Sequence, residues 1–235
     1  RVSAGGTKII FSDSNTHYRG EENYRRSGVT DPMRIEKDAF FAHQVMWNGW
    51  VDTDKFQTYI IGHWNYPEHT VKSVYVVSNG EQVELLLNGK SLGKGKRESH
   101  FLFTFDKVAY QPGRLEAVSY DGKGREVSRY TLSTVGEAAR LELTAIQNPE
   151  GFHADGADMA LLQVEVVDKD GRRCPLDNRT VRFTLKGEAE WRGGIAQGKD
   201  NHILDMNLPV ECGINRALIR STAKAGKIVV TAEAE

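Results

Sequence analysis

At 235 residues the chain exceeds the usual single domain of roughly 100–150, so more than one compact unit is expected. With charged residues at 27% and a formal net charge of -1, the surface is balanced. Nothing in it suggests a nucleic-acid binder built on a basic stripe, and no apolar run approaches the ~20 residues of a membrane span.

Arg1 to Gly6 lacks the apolar core of a signal peptide, so any export signal is expected on a segment upstream. Ile9-Ile10-Phe11 is a short apolar run that turns polar at Ser12-Asp13-Ser14-Asn15-Thr16-His17-Tyr18-Arg19-Gly20, as a buried parallel strand does on entering a functional loop. A helix is expected from Pro32 to Met46. Asp31 suits its cap and Pro32 its first position, while Ile35, Ala39, Ala42 and Val45 or Met46 recur at helical spacing. Strand, loop and helix make one βα unit that cannot bury both of its faces alone, so residues 1–47 read as the end of an α/β domain.

From Phe56 onward the segments are short, alternating and bounded by turns, the pattern of antiparallel sandwiches. Strands are expected at Tyr59–Trp64, Val71–Val77, Val83–Leu87, Phe101–Phe105, Arg114–Tyr120 and Glu126–Leu132, with Asn88-Gly89 as a tight hairpin returning through Ser91-Leu92-Gly93. About seven strands make an immunoglobulin-like sandwich over 48–136. At least two of Trp47, Trp50 and Trp64 are expected to be buried where the grammar changes from α/β to all-β.

Gly136-Glu137-Ala138-Ala139 reads as a linker, and a second sandwich over 137–235 follows. Its strands are expected at Leu141–Ala145, Met159–Val167 and Thr180–Leu185, with Ala217–Ser221 and Lys227–Ala232 as a closing hairpin. Trp191 to Cys212, Gly-rich and aperiodic, reads as a long loop. Cys174 and Cys212 are too few for a disulfide framework; they are either two unpaired thiols or one bridge.

Several motifs fail on spacing. Gly89-Lys90-Ser91 imitates the end of a phosphate loop, but Glu84 stands where the first glycine belongs. Asp168-Lys169-Asp170-Gly171 lacks the bidentate acid of a calcium loop and reads as a solvated turn. His63 beside Trp64 reads as a packed, hydrogen-bonded group, since no histidine pair has metal-helix spacing. No cofactor and no metal site is expected.

Asp13 to Gly20, the Asp31 to Phe41 segment, Ile60-Ile61-Gly62-His63-Trp64-Asn65-Tyr66-Pro67 and Val83 to Gly93 together resemble the C-terminal part of a bacterial glycoside hydrolase of family 2, the β-galactosidase type. Asp155 to Ala160 and Asp170-Gly171 resemble the final immunoglobulin-like domain of such enzymes.

The resemblance implies a mainly all-β fold of two tandem immunoglobulin-like sandwiches preceded by the last βα unit of a (β/α)8 barrel. It also implies retaining hydrolysis by two glutamates at the ends of the fourth and seventh barrel strands. This chain starts near the eighth, so both are expected upstream. Glu21 and Glu22, in a polar loop, are no substitutes. On this reading Asp13, Asn15, His17 and Arg19 lie at the active-site end of the barrel, either contacting substrate or fixing their loop. The implied partners are a β-linked glycan and the upstream barrel, in a periplasmic or secreted protein. A carbohydrate-binding sandwich and a structural spacer are the competing readings, which fold alone does not separate.

Overall fold

The computed structural model describes residues 10–14, 26–197 and 200–234. Two compact units divide them: Glu36–Val135 forms one, and Gly136–Glu235 groups with the residues up to Ile35 in the other.

In the Glu36–Val135 unit, helix α1 spans Asp38–Trp50, six residues later than its sequence signals place it. The reason lies in the preceding turn. Asp31 N donates to Ile35 O at 2.9 Å, the Asp31 carboxylate accepts from Ile35 N at 2.7 Å, and Arg34 is left-handed at φ 67, so the chain cannot enter a helix until it has passed them. Asp38 then places a carboxylate in the first turn, where the helix dipole favours it, and accepts from Tyr59 OH at 2.6 Å.

Helix α1 packs through Phe41, Ala42 and the fully buried Val45 against Tyr59 and Val77, with the Phe41 and Tyr59 rings stacked at 4.7 Å. Trp47 and Trp50 are two and five residues beyond Val45, which turns them about 200° and 140° away from that face. They are 59% and 65% exposed, while Trp64 is 1% exposed. The expectation that at least two of the three indoles are buried is therefore corrected to one.

Two four-stranded sheets carry the rest of this unit. The first has the order β1(Thr58–Ile60)-β2(Val71–Ser78)-β6(Leu102–Ala109)-β5(Lys96–Arg97), and the second β4(Lys90–Lys94)-β3(Gln82–Leu87)-β7(Arg114–Tyr120)-β8(Glu126–Ser133). All pairings are antiparallel. Alternation decides the buried faces: Val83, Leu85 and Leu87 meet Val74, Val76, Phe103 and Phe105 in one core. Asn88 and Gly89 have φ of 53 and 80, as a two-residue hairpin with both central residues left-handed requires. Strand β1 is shorter than expected because Gly62, at φ 90, turns the chain, after which Trp64 drops into the core from the loop.

The second sandwich has a five-stranded sheet, β13(Asp200–Ile203)-β12(Ala189–Gln197)-β15(Ile214–Ser221)-β10(Met159–Asp168)-β9(Ala138–Ile146), and a three-stranded one, β14(Asn207–Pro209)-β11(Thr180–Gly187)-β16(Ile228–Glu233). Two expectations fail here. The span from Trp191 to Cys212 contains strands rather than a long loop. Its alternation is masked by Gly193 and Gly194, and the left-handed Gly193 (φ 73) lies so close to His202 O that an added Cβ would stand 2.7 Å away. Trp191 anchors this stretch, donating to Asp205 O at 2.8 Å with its ring 5.3 Å from that of Phe183. Nor do β15 and β16 form a hairpin, since β15 pairs with β10 and β12 whereas β16 pairs with β11 in the other sheet. Cys174 is buried, Cys212 is exposed, and no disulfide joins them.

The turn after β10 is not a solvated one. The Asp168 side chain is fully buried and accepts from Arg172 N at 2.9 Å, Arg172 Nε at 2.9 Å, Gly136 N at 3.0 Å and Asp170 N at 3.0 Å. Burial alone would raise this carboxyl, but the hydrogen bonds from Arg172, Gly136 and Asp170 hold it well below the ordinary range. A carboxyl depressed in the folded state contributes stability that is complete above the unfolded value of about 4 and is lost as pH falls through the folded one. Asp168→Asn should therefore lower the melting temperature at pH 7, with a difference from the parent that shrinks below about pH 4. Thermal unfolding followed by circular dichroism from neutral pH to pH 2 checks this, and a pH-independent difference would contradict it.

Candidate functional site

The sequence points to the loop that begins at Asp13. There the expected strand is reduced, among the described residues, to isolated bridge positions at Ser12 and Ser14, with Ser12 pairing in parallel with Thr30. Val29 N and Thr30 N donate to Phe11 O at 2.8 and 3.1 Å, and Asp13 N donates to Thr30 O at 2.9 Å. Asp13 is 5% exposed, and its Oδ1 accepts from Gly28 N at 2.8 Å. Gly28 fits because it has no side chain: an added Cβ would lie 2.2 Å from Asp13 N and 2.3 Å from Ser12 C. The carboxylate of Asp13 thus closes the base of the loop. Asn15, His17 and Arg19 fall outside the described residues.

The stretch after the loop is tied to the sandwich by one buried cation. Arg216, on β15 and 9% exposed, donates from Nε to Gln163 Oε1 at 2.8 Å and from a terminal nitrogen to Met33 O at 3.0 Å. It also faces Asp31. Burial raises the Asp31 carboxyl above its usual range, opposed by the hydrogen bond from Ile35 N and by the charge of Arg216. Arg34 lies over the Phe11 ring at 5.7 Å. Sequence spacing gave no hint of Arg216, which reads as one of several charges in an alternating strand; its depth and its partner 183 residues away supply the signal.

His63 is half-buried, with its ring stacked 4.6 Å from that of Tyr66 and its Nδ1 accepting from Asn65 N at 3.1 Å. Burial, then the charge of Lys72, lowers its pKa, with Asp38 opposing. Neutral imidazole is the form that accepts this hydrogen bond. Among the described residues no three histidine, cysteine, aspartate or glutamate side chains are grouped to hold a metal. No described helix is long and apolar enough to cross a membrane.

Comparison with known proteins supplies the context. Residues 142–235 match the family model "Glycoside hydrolase family 2 C-terminal domain 5", and residues 69–128 match "Domain of unknown function (DUF4982)". A β-glucuronidase of Formosa agariphila is 41% identical over 98% of the chain, which covers 23% of that protein. The β-galactosidase BoGH2A of Bacteroides ovatus is 28% identical over 88% of the chain, 24% of its own length.

Among solved structures, a family 2 β-glucuronidase superposes with a TM-score of 0.89 at 41% identity, covering 95% of the chain and 23% of its own. A family 2 member from Bacteroides cellulosilyticus gives 0.81 at 29% identity, covering 91% and 31%. The chain thus spans about a quarter of the curated relatives it matches. The two sandwiches, the matched C-terminal model and the extent of these similarities lead to one conclusion: the chain carries a C-terminal domain of glycoside hydrolase family 2 and is homologous over most of its length to β-glucuronidases and β-galactosidases of that family.

Proposed function

We propose that this chain is the C-terminal accessory portion of a retaining β-glycosidase, in which the sandwiches brace the end of a catalytic barrel and the catalytic carboxylates lie outside the chain. The 41% identity to a β-glucuronidase over 98% of the chain carries the reading. It also favours a β-glucuronide over the β-galactoside expected from sequence.

The local geometry agrees with a bracing role. Retaining hydrolysis needs two carboxyl groups about 5–5.5 Å apart, one protonated and one not. The buried carboxylates Asp13, Glu116 and Asp168 are instead engaged by Gly28 N, by Arg114 and Arg129, and by Arg172. The segment from Phe11 to Ile35, clamped by Asp13 and Arg216, is on this reading the last strand and loop of the barrel, with Asn15, His17 and Arg19 on its active-site side. Direct substrate contact by these residues belongs to the same proposal.

Hydrolysis of aryl β-glucuronide and aryl β-galactoside by the full-length protein and by residues 1–235 alone tests it. The full-length protein should turn over the glucuronide faster, and the isolated chain should release no phenol above background. Steady turnover by the purified isolated chain would overturn the accessory role; a full-length protein faster on galactoside would overturn the sugar assignment.

A further inference from the structure

The sandwich in Glu36–Val135 has an open groove of about 570 Å³ whose lining includes Lys90, Leu92, Lys94, Lys96, Phe105 and Lys107. Backbone features build both lips. On one side the chain leaves β4, in one sheet, and enters β5, in the other, through Gly95, where an added Cβ would stand 2.7 Å from the Phe105 ring. The crossing lays Lys90, Lys94 and Lys96 along a single edge.

On the other side β6 bulges. Lys72 pairs with Val108 and Val74 with Phe105, so Asp106 and Lys107 together oppose Ser73. Lys107 takes the left-handed conformation at φ 55, uncommon for a lysine, and lines the groove.

The charges are unevenly answered. Lys96 pairs with Glu98 at 2.8 Å, whereas Lys94 stands opposite Glu84 across the β3–β4 pair and donates to the amide oxygen of Gln82. Asp106, the one carboxylate of the lining, accepts from Ser73 Oγ at 2.8 Å. Four lysines and a single carboxylate therefore line the groove, and among the described residues Lys90 and Lys107 form no ion pair, in a chain whose formal net charge is -1. The Phe105 ring is buried and Leu92 is the exposed apolar side chain, so the groove lacks an aromatic platform for stacking a neutral sugar. Cations without a stacking surface select for anionic groups along an extended ligand.

We propose that this groove is a non-catalytic binding site for a uronate-bearing polysaccharide, whose carboxylates are held by Lys90, Lys94 and Lys107. The choice of an acidic glycan among polyanions rests on the reading of the parent as a glycosidase acting on uronides. Such a site would hold a polymer near the enzyme without touching the scissile bond.

The test uses residues 1–235 and polygalacturonate as the probe, with neutral galactan and duplex DNA as controls, in affinity electrophoresis and titration calorimetry. Polygalacturonate should bind, weaken as sodium chloride rises from about 50 to about 500 mM, and bind at least about tenfold more weakly to K90Q/K94Q/K107Q at unchanged melting temperature. The pair K90Q/K94Q, which leaves the strained bulge intact, should weaken binding in the same direction. No binding of polygalacturonate, unchanged affinity in both variants, or equal affinity for DNA would overturn the proposal. Hydrolysis of aryl glycosides by the full-length protein is measured separately. A full-length protein inactive on them while the chain binds polygalacturonate would sink the glycosidase reading and leave the groove standing; the converse would sink only the groove.

Discussion

Trp64→Ala lowers the stability of the unit Glu36–Val135 by roughly 3–5 kcal/mol, the range for a large aromatic removed from a packed core. The indole is 1% exposed, packs edge-on to Tyr66 and Tyr110 with centroids at 6.0 and 5.2 Å, and donates from Nε1 to Gln111 O at 3.0 Å. Truncation therefore opens a cavity and strands a carbonyl at once. Trp64 O also accepts from Thr134 Oγ1 at 2.9 Å, fixing the strand end where Asn65 exchanges two hydrogen bonds with Val135. Phenylalanine should restore much of the loss by filling the volume while leaving Gln111 O unpaired, a residual of about 1–2 kcal/mol. Urea unfolding of both variants measures this. An alanine variant within about 1 kcal/mol of the parent would show that Trp64 is not a core anchor.

Arg216→Ala is expected to cost roughly 2–4 kcal/mol, because it removes donors from Met33 O and Gln163 Oε1 in a buried setting and takes the counter-charge from Asp31. Its effect should be regional. Hydrogen exchange of the amides of Val29 to Ile35 should accelerate, while the core amides of β3 and β7 remain protected. Uniform loss of protection across the chain, or none at Val29 to Ile35, would count against a local clamp.

The two sandwiches were legible because a period of two, punctuated by Asn88-Gly89 and Asp121-Gly122, is a local property of the chain. Val83, Leu85 and Leu87 show it most clearly. What was not legible had separate causes. Helix α1 begins at Asp38 rather than Pro32 because a turn locked by Asp31 overrides good cap signals. Strand β12 escaped notice because Gly193 and Gly194 occupy positions whose side chains would otherwise report the alternation, and β13 and β14 because they are only 4 and 3 residues long. The second strand-level difference, a hairpin joining β15 to β16, came from proximity in sequence where the chain in fact passes from one sheet to the other.

At the candidate site the balance was similar. Asp13 was visible as a polar residue ending an apolar run, but its burial and its bond to Gly28 N appear only in three dimensions. Arg216 and the lysine groove were invisible for the same reason. Lys90, Lys94 and Lys96 do alternate with small residues around Gly93 and Gly95, which is a hint of a cationic edge once a sheet switch is suspected.

The measurement that bears most directly on the bracing role is thermal inactivation of the full-length protein carrying Arg216→Ala, read together with KM and kcat on an aryl β-glucuronide. Bracing predicts an inactivation midpoint several degrees below the parent, with kcat per folded molecule little changed at low temperature. An unchanged midpoint with intact activity would contradict it, because the clamp between β15 and the Asp31–Ile35 turn would then support nothing the enzyme needs.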